Sequence, residues 1–544
     1  MNYLDWVIMA LYIVALIMLS YRLGKSQINE RDYYLGGNKV HWLPVGVSSM
    51  ATQLSTNSML GAPAFVAFSL GGGLLWLQYE LAVPLAMIFI MIFLIPFFKR
   101  ANVISIYEYL ELRLGVGSRM ILSLLFQFIV AFGTGVTVYG ISLVLQACLN
   151  IPFWLAVALL GVVTIIYDTL GGMRSVIASD VIQMIILVIG IIVASAFAVS
   201  LSGGFDKVLE NFDATRLQSL DFSGHGLGDN ATFAFLPMLV GGFFLYVAYY
   251  GCNQTQVQRQ LSTKDVDDSN LSLFMNGMLR FPVVLGYCFL GVAIGAFANI
   301  HPHFLNRLPT REVIENGLVN HVPNFNAAVP IFVLDYLPHG FIGLIIIALF
   351  AAAMSSLDST LNSLSATTVR DIIDRFFERP EQRTPKQDLL ISKGVTVFWG
   401  IMCVGFSFFV GDISDSIIVS INKIGSLANG AILGTFLLAI LTKRANDRGV
   451  IVGIVAGFFV NLYFWLYVPG VSWLWWNAIG CGVTVAVGYA MSYAFEQVNY
   501  ETIRRLVWNR SSHMAPHGSK RNWPLYYGIL FLWFLVMIGV LALI

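Results

Sequence analysis

Residues 46 to 65, GVSSMATQLSTNSMLGAPAF, fall where a membrane span is expected and do not read as a lipid-facing helix. Ser48, Ser49, Thr52, Gln53, Ser55, Thr56, Asn57 and Ser58 crowd into a few turns, and Gly61 and Pro63 follow. Lipid offers such groups no hydrogen-bond partner. An unwound segment is therefore tolerated at that depth only where its freed carbonyls line a cavity or hold something. Residues 237 to 254, PMLVGGFFLYVAYYGCNQ, repeat the theme, with Pro237, Gly241 and Gly242 ahead of Tyr246, Tyr249, Tyr250, Asn253 and Gln254. Two interrupted helices five spans apart are the mark of an inverted-repeat transporter whose substrate binds near mid-membrane.

The rest of the chain agrees with a membrane setting. Of 544 residues, 57% are hydrophobic and only 11% charged, too few to cover a folded surface of this size in water. A span needs roughly 20 apolar residues. Fourteen stretches qualify, at about 3–21, 44–68, 74–97, 120–148, 152–170, 176–202, 232–253, 271–299, 341–368, 389–410, 414–441, 449–468, 472–495 and 525–544. The first carries Asp5 instead of a basic leader and no small-residue cleavage pattern, so it reads as a retained helix rather than a signal peptide. Sorting the 31 Lys and Arg residues into alternating loops puts 25 on one side and four on the other, with Arg280 and Lys423 inside spans. By the positive-inside rule this orients a plasma membrane protein (inner membrane in a bacterium) with both termini outside.

No loop is long enough for a soluble catalytic domain. The segments 326–336 and 104–113 read as short interfacial helices at the outer and inner faces. The five cysteines, Cys148, Cys252, Cys288, Cys403 and Cys481, lie in apolar stretches and form neither a disulfide framework nor a metal-ligand spacing. With 31 basic against 30 acidic residues there is no basic surplus for a nucleic-acid partner, and nothing requires an obligate protein partner.

Charges at bilayer depth are expensive, so each marks a candidate site. Five fall there: Glu80, Asp180, Arg280, Asp358 and Lys423. Asp180 and Lys423 sit near span ends, where snorkelling or capping competes with function. Glu80 and Arg280 can neutralise each other between helices. Asp358 lies deepest, in AAAMSSLDSTLNSLSATT, where Ser355, Asp358, Ser359 and Asn362 share one helical face with Ser356 beside them. Small hydroxyl residues often only pack helices. A carboxylate in the same stripe gives the hard oxygen ligands that an alkali cation needs to shed its water.

The runs DYYLGGNKVHW (32–42), residues 46–63, LGGMRSVIASDVIQ (170–183), NQTQVQR (253–259) and AAAMSSLDSTLNSLSATTVRDI (351–372) resemble the sodium/solute symporter family, which includes the sodium/glucose cotransporters. The resemblance implies an all-α polytopic membrane protein with the leucine-transporter fold. Residues 1–40 would form an extra helix and inner loop, 41–203 and 232–442 two inverted five-helix repeats joined by the outer loop 204–231, and 443–544 three extra helices. It also implies a sodium site built from carbonyls at Ala51, Leu54 and Ala352 and hydroxyls at Ser355 and Ser356. A second sodium site in some members matches Asp180, Asp358 and Ser359, with Asp358 standing where such members have Ser, so that it would hold sodium or a proton. Sugar-binding positions of the family fall on Ser58, Glu80, Asn253, Arg280 and Asn422, with Tyr79 at an aromatic gate. A further polar position of the family falls near Gly133, so the match to sugar carriers is incomplete.

The expected function is sodium-coupled uptake of a small polar solute by alternating access, a sugar or sugar derivative first. Arg280 leaves open a monocarboxylate or another small organic anion. A membrane sensor with a symporter-like domain would need a signalling domain after the last span, and the chain stops at Ile544. An enzyme is not expected, because HExxH is absent and all eight histidines lie in loops or at helix ends. A Walker motif is absent too, which leaves no ATP-driven step within this chain.

Overall fold

The computed structural model describes residues 2–54, 56–315, 318–377, 383–409, 417–496, 499–508, 519 and 521–544. Ser55, the side chains of Thr56, Asn57 and Cys148, and part of the 496–524 connection, with Arg510 and Lys520, lie outside the described residues. Helices dominate, because in lipid each backbone N–H and C=O must be satisfied within its own segment. Among the described residues eleven helices are long and apolar enough to cross a membrane, against fourteen stretches expected.

The difference has three local causes. The stretch at 44–68 is two 12-residue helices, Trp42–Gln53 and Thr56–Ala67, each too short alone. The stretch at 232–253 starts with a wide π turn at Pro237–Gly241, continues as Gly242–Cys252, and breaks at Asn253 before Gln254–Ser262. The stretches at 152–170 and 176–202 run together as Phe153–Leu201, 49 residues long. At 1.5 Å per residue that is about 70 Å, more than twice a bilayer core. Its continuity is broken at Gly172, where φ 54° and ψ −157° lie outside the helical region and a Cβ would meet the Tyr33 carbonyl at 2.6 Å.

Burial ranks the helices. Phe341–Thr367 has 24 of its 27 residues buried and forms the centre of the molecule. Pro385–Phe406 buries only Ser392, Thr396, Gly400 and Cys403, as a lipid-facing helix does. The start of the central helix is capped from outside itself. Asp5, on Tyr3–Gly24, accepts from the Gly340 and Gly343 amides at 2.8 and 3.0 Å, filling donors that a helix N-terminus leaves open.

Its far end continues into a wide turn at Thr368–Phe377, tied to the rest by charge. Arg119 reaches Asp371 at 2.7 Å, and Arg370 bonds Glu30 at 3.0 Å and Glu108 at 3.3 Å. Glu108 belongs to Ile106–Arg113, the short helix expected at 104–113, with Ser105 and Glu108 forming its capping box. Burial pushes the Glu108 carboxyl up, but Arg370, the Ser105 amide and Arg119 together hold it below its ordinary value.

The helix expected at 326–336 is present as Ala328–Tyr336. The connection before it, expected as loop, carries an antiparallel hairpin, Thr310–Glu315 with Leu318–Pro323. Cys252, Cys288, Cys403 and Cys481 are buried free thiols.

Candidate functional site

Trp42–Gln53 ends at Leu54, whose φ −79° and ψ 56° leave the helical region. Ending there leaves the carbonyls of the last turn, that of Ala51 among them, without partners inside the helix. Ala51 and Leu54 are buried, and Thr52 Oγ1 lies 3.3 Å from Ser359 Oγ on the central helix. From that helix Ala352, Ser355, Asp358 and Ser359 are buried and Ser356 half-buried, its Oγ donating to the Ala352 carbonyl at 3.5 Å.

Asp180 joins them from Phe153–Leu201 with no exposed surface. It accepts from Ser355 Oγ, from Ser48 Oγ at 2.5 Å and from Arg259 Nη2 at 3.2 Å. Asp358 accepts from the Tyr167 hydroxyl at 2.5 Å and from Ser359 Oγ at 3.0 Å. One cluster therefore holds Asp180, Ser355, Asp358 and Ser359 and touches the first broken helix through Ser48 and Thr52. Asp180 is no end-of-helix carboxylate snorkelling to water.

Arg259 is the residue that sequence reasoning missed. It sorted with the basic loop residues, yet it has no exposed surface, and every residue of Gln254–Ser262 is buried. Its guanidinium donates to Ser48 Oγ at 2.7 Å, to the Thr255 carbonyl at 2.5 Å, to Asp180 and to Ser359 Oγ. A permanent cation thus stands beside the carboxylate and hydroxyl expected to hold an ion. The available signal was the run of uncharged amide and hydroxyl residues around it, NQTQVQR, directly after an interrupted span.

A cavity of about 230 Å³ lies between the two interrupted helices. Ser58, Tyr79, Glu80, Asn253, Arg280 and Asn422 all line it. Ser356 reaches it as well, whereas Ala51, Leu54, Ala352, Ser355, Asp180, Asp358 and Ser359 stand behind the lining. Glu80 and Arg280 are both buried and bonded to each other through both carboxylate oxygens. Tyr246 donates to Glu80 Oε1 and accepts from Arg280 Nη2, each at 2.9 Å, and Tyr250 accepts from Arg280 Nη1 at 3.0 Å. The Tyr79 ring packs 4.6 Å from that of Tyr246.

Asn253 spends its side-chain oxygen on the Thr255 amide at 2.9 Å, capping the second half-helix where the first ends. A Cβ at Gly133 would meet nothing within 4 Å, so the missing polar position is open space on the cavity wall, on the same helix as Thr134 and Thr137. Lys423 is half-buried and outside the lining.

The sodium:solute symporter family model matches residues 33–457, well over half the chain. The chain belongs to this family. The symporter is 30% identical over 467 residues to sodium-coupled monocarboxylate transporter 1 of Homo sapiens, covering 84% of this chain and 72% of the relative. It is 29% identical over 499 residues to the sodium/sialic acid symporter NanT of Aliivibrio fischeri, covering 91% and 94%. Among solved structures, a substrate-bound, outward-open Na+-coupled sialic acid symporter superposes with a TM-score of 0.78 at 25% identity, over 92% of this symporter and 99% of that chain. The architecture is that of the leucine-transporter fold, and sodium is the ion that the symporter's family couples to transport. The relatives are transporters rather than enzymes, and the apolar helices of this chain make it a multi-pass membrane protein.

Proposed function

We propose that the protein is a secondary symporter that uses inward sodium flow to accumulate a small hydroxylated solute, a sugar or sugar derivative, by alternating access. The observation that carries this reading is the shared wall. Ser356 lies next to the sodium-side hydroxyls and also lines the solute cavity, so ion and solute each stabilise the arrangement that the other binds. Sodium is held by the carbonyls of Ala51, Leu54 and Ala352 and the hydroxyls of Ser355 and Ser356. A second ion uses Asp180, Asp358 and Ser359, and it enters only as Arg259 gives up part of its hold on Asp180 and Ser359. The membrane potential adds about 2.3 kcal/mol per charge per 100 mV to the driving force.

Fourteen crossings follow when both interrupted helices and both arms of Phe153–Leu201 are counted. The two repeats are 41–203 and 232–442, and the basic residues put both termini outside.

The cavity favours a neutral hydroxylated solute because Arg280 is already neutralised by Glu80, while Thr52, Ser58, Asn253 and Asn422 supply amides and hydroxyls. A small carboxylate is the second reading, supported by the identity to a sodium-coupled monocarboxylate transporter. Uptake into proteoliposomes of neutral sugars, sugar acids and monocarboxylates, with and without a sodium gradient, tests both. The expected result is sodium-driven accumulation of a sugar or sugar derivative. The Glu80→Gln variant, which frees the guanidinium, moves preference toward carboxylates. Uptake indifferent to sodium sinks the symport reading, and a wild type that takes only monocarboxylates replaces the first substrate class with the second.

A further inference from the structure

Asp168 is a third carboxylate of the ion region, and it is unlike the other two. It lies in the first arm of Phe153–Leu201, one turn before the Gly172 break, with no exposed surface. Neither of its oxygens closes a hydrogen bond, so it touches none of the sodium ligands in that way. The Asn362 amide faces it from the central helix, yet Asn362 Nδ2 closes no hydrogen bond either, while its Oδ1 is held by Gln258 Nε2 at 2.7 Å. Further buried orphans stand nearby: Thr169 Oγ1 next in the chain and, beside Asp358, the Tyr12 hydroxyl facing Gln183.

The titratable and charged groups facing Asp168 are Asp358 from the central helix, Arg259 from Gln254–Ser262, Tyr33 from Glu30–Leu35, and Tyr167 and Asp180 from its own helix. The N-terminal helix adds Tyr12 near Asp358, and Pro385–Phe406 adds Lys393, 5.9 Å from the Tyr33 ring. Arg259, the guanidinium among them, is committed to Asp180. A buried carboxylate whose nearest donor, the Asn362 amide, stands outside hydrogen-bond geometry, and which has no paired cation, is costly as an anion; a proton removes the cost without needing ligands. A metal ion would need several ligands, and among the described residues no three His, Cys, Asp or Glu side chains converge.

We propose that Asp168 is a proton-binding site whose occupancy opposes sodium binding at the adjoining cluster, a linkage that rests on the sodium reading above. With the cluster empty, Asp168 holds its proton. Sodium arriving beside Asp180 and Asp358 favours the anion, the O–H bond breaks, the electron pair stays on the carboxylate and the proton leaves to water. Each cycle then carries a proton exchange that depends on sodium.

The test uses purified full-length protein with sodium chloride as the probe and choline chloride as control. In weak buffer, sodium releases about one proton per wild-type chain, and its affinity falls by up to about tenfold per unit fall in pH. Asp168→Asn releases none and binds sodium with an affinity that no longer follows pH. Without sodium at neutral pH, the infrared carbonyl stretch of a buried carboxylic acid is present in the wild type and lost in Asp168→Asn. Equal proton release from both proteins, or an infrared band unchanged by the substitution, overturns the proposal. A wild type that binds no sodium removes the sodium reading, and the infrared band still decides the proton. Should Asp168→Asn fail to fold, Asp168→Glu is expected to shift the band, and an unshifted band in that variant counts against the site equally.

Discussion

Two buried carboxylate–guanidinium pairs stand on the two sides of this molecule's centre, and they are built differently. On the solute side Arg280 meets one carboxylate, Glu80, through both oxygens, and Tyr246 and Tyr250 occupy further donors. That pair is neutral and nearly saturated. On the ion side Arg259 holds Asp180 through a single nitrogen and shares its remaining donors among Ser48, Ser359 and a carbonyl, with Asp168 and Asp358 beyond it. With Asp168 holding its proton as proposed above, one guanidinium still faces two carboxylates, Asp180 and Asp358, which leaves a deficit of positive charge. The difference supports the proposed sodium position, beside the unbalanced pair rather than the balanced one.

The comparison breaks most visibly if each arginine is removed. Arg259→Ala and Arg280→Ala each strand a buried carboxylate, and each is expected to cost about 3–5 kcal/mol of stability. Thermal unfolding in detergent separates them. Sodium restores part of the loss in Arg259→Ala, because the ion supplies the missing charge, and restores little in Arg280→Ala. Equal rescue of both, or of neither, would show that charge balance does not locate the ion.

A smaller effect is expected from Ser356→Ala, which removes one of the proposed sodium ligands where the two regions meet. Losing a hydrogen-bonding or ligating contact to a charge costs about 1.5–3 kcal/mol, so the sodium concentration for half-maximal uptake rises about ten- to a hundredfold. The fold survives, since Ser356 Oγ contributes only a 3.5 Å bond to the Ala352 carbonyl. Sodium dependence unchanged from wild type in proteoliposome uptake takes Ser356 out of the site.

What the sequence revealed follows the cost of breaking rules in lipid. The polar run at 46–58 and the Pro237, Gly241 and Gly242 pattern announced two broken helices because no lipid-facing helix tolerates them, and both are broken at Leu54 and Asn253. Glu80, Arg280 and Asp358 were visible for the same reason. Arg259 was hidden because a basic residue after a span reads as an inner-loop charge, and only tertiary packing carries Gln254–Ser262 inward. Asp168 was hidden by LGGM, whose glycines draw the span boundary too close to it. The length of Phe153–Leu201 was illegible because a single glycine with positive φ can either end a helix or merely kink it, and local sequence does not choose.

The smallest expected effect probes the balanced pair. Tyr246 bridges it, donating to Glu80 and accepting from Arg280 at 2.9 Å each, while its ring packs at a tilt against Tyr79 and lies 4.9 Å from the guanidinium. Tyr246→Phe deletes the hydroxyl and keeps the ring, so the aromatic and cation–π contacts persist and one bridge is lost. The cost is about 1 kcal/mol, or roughly a fivefold rise in the solute concentration for half-maximal uptake. Sodium dependence should stay at its wild-type value, because no bond from Tyr246 leads toward Asp180 or Ser355. A solute defect alone, measured in the same proteoliposomes as Ser356→Ala, sharpens the division between the two regions. A matching shift in sodium dependence would mean that the two pairs move as one unit, and the balanced pair would then belong to the ion site as well.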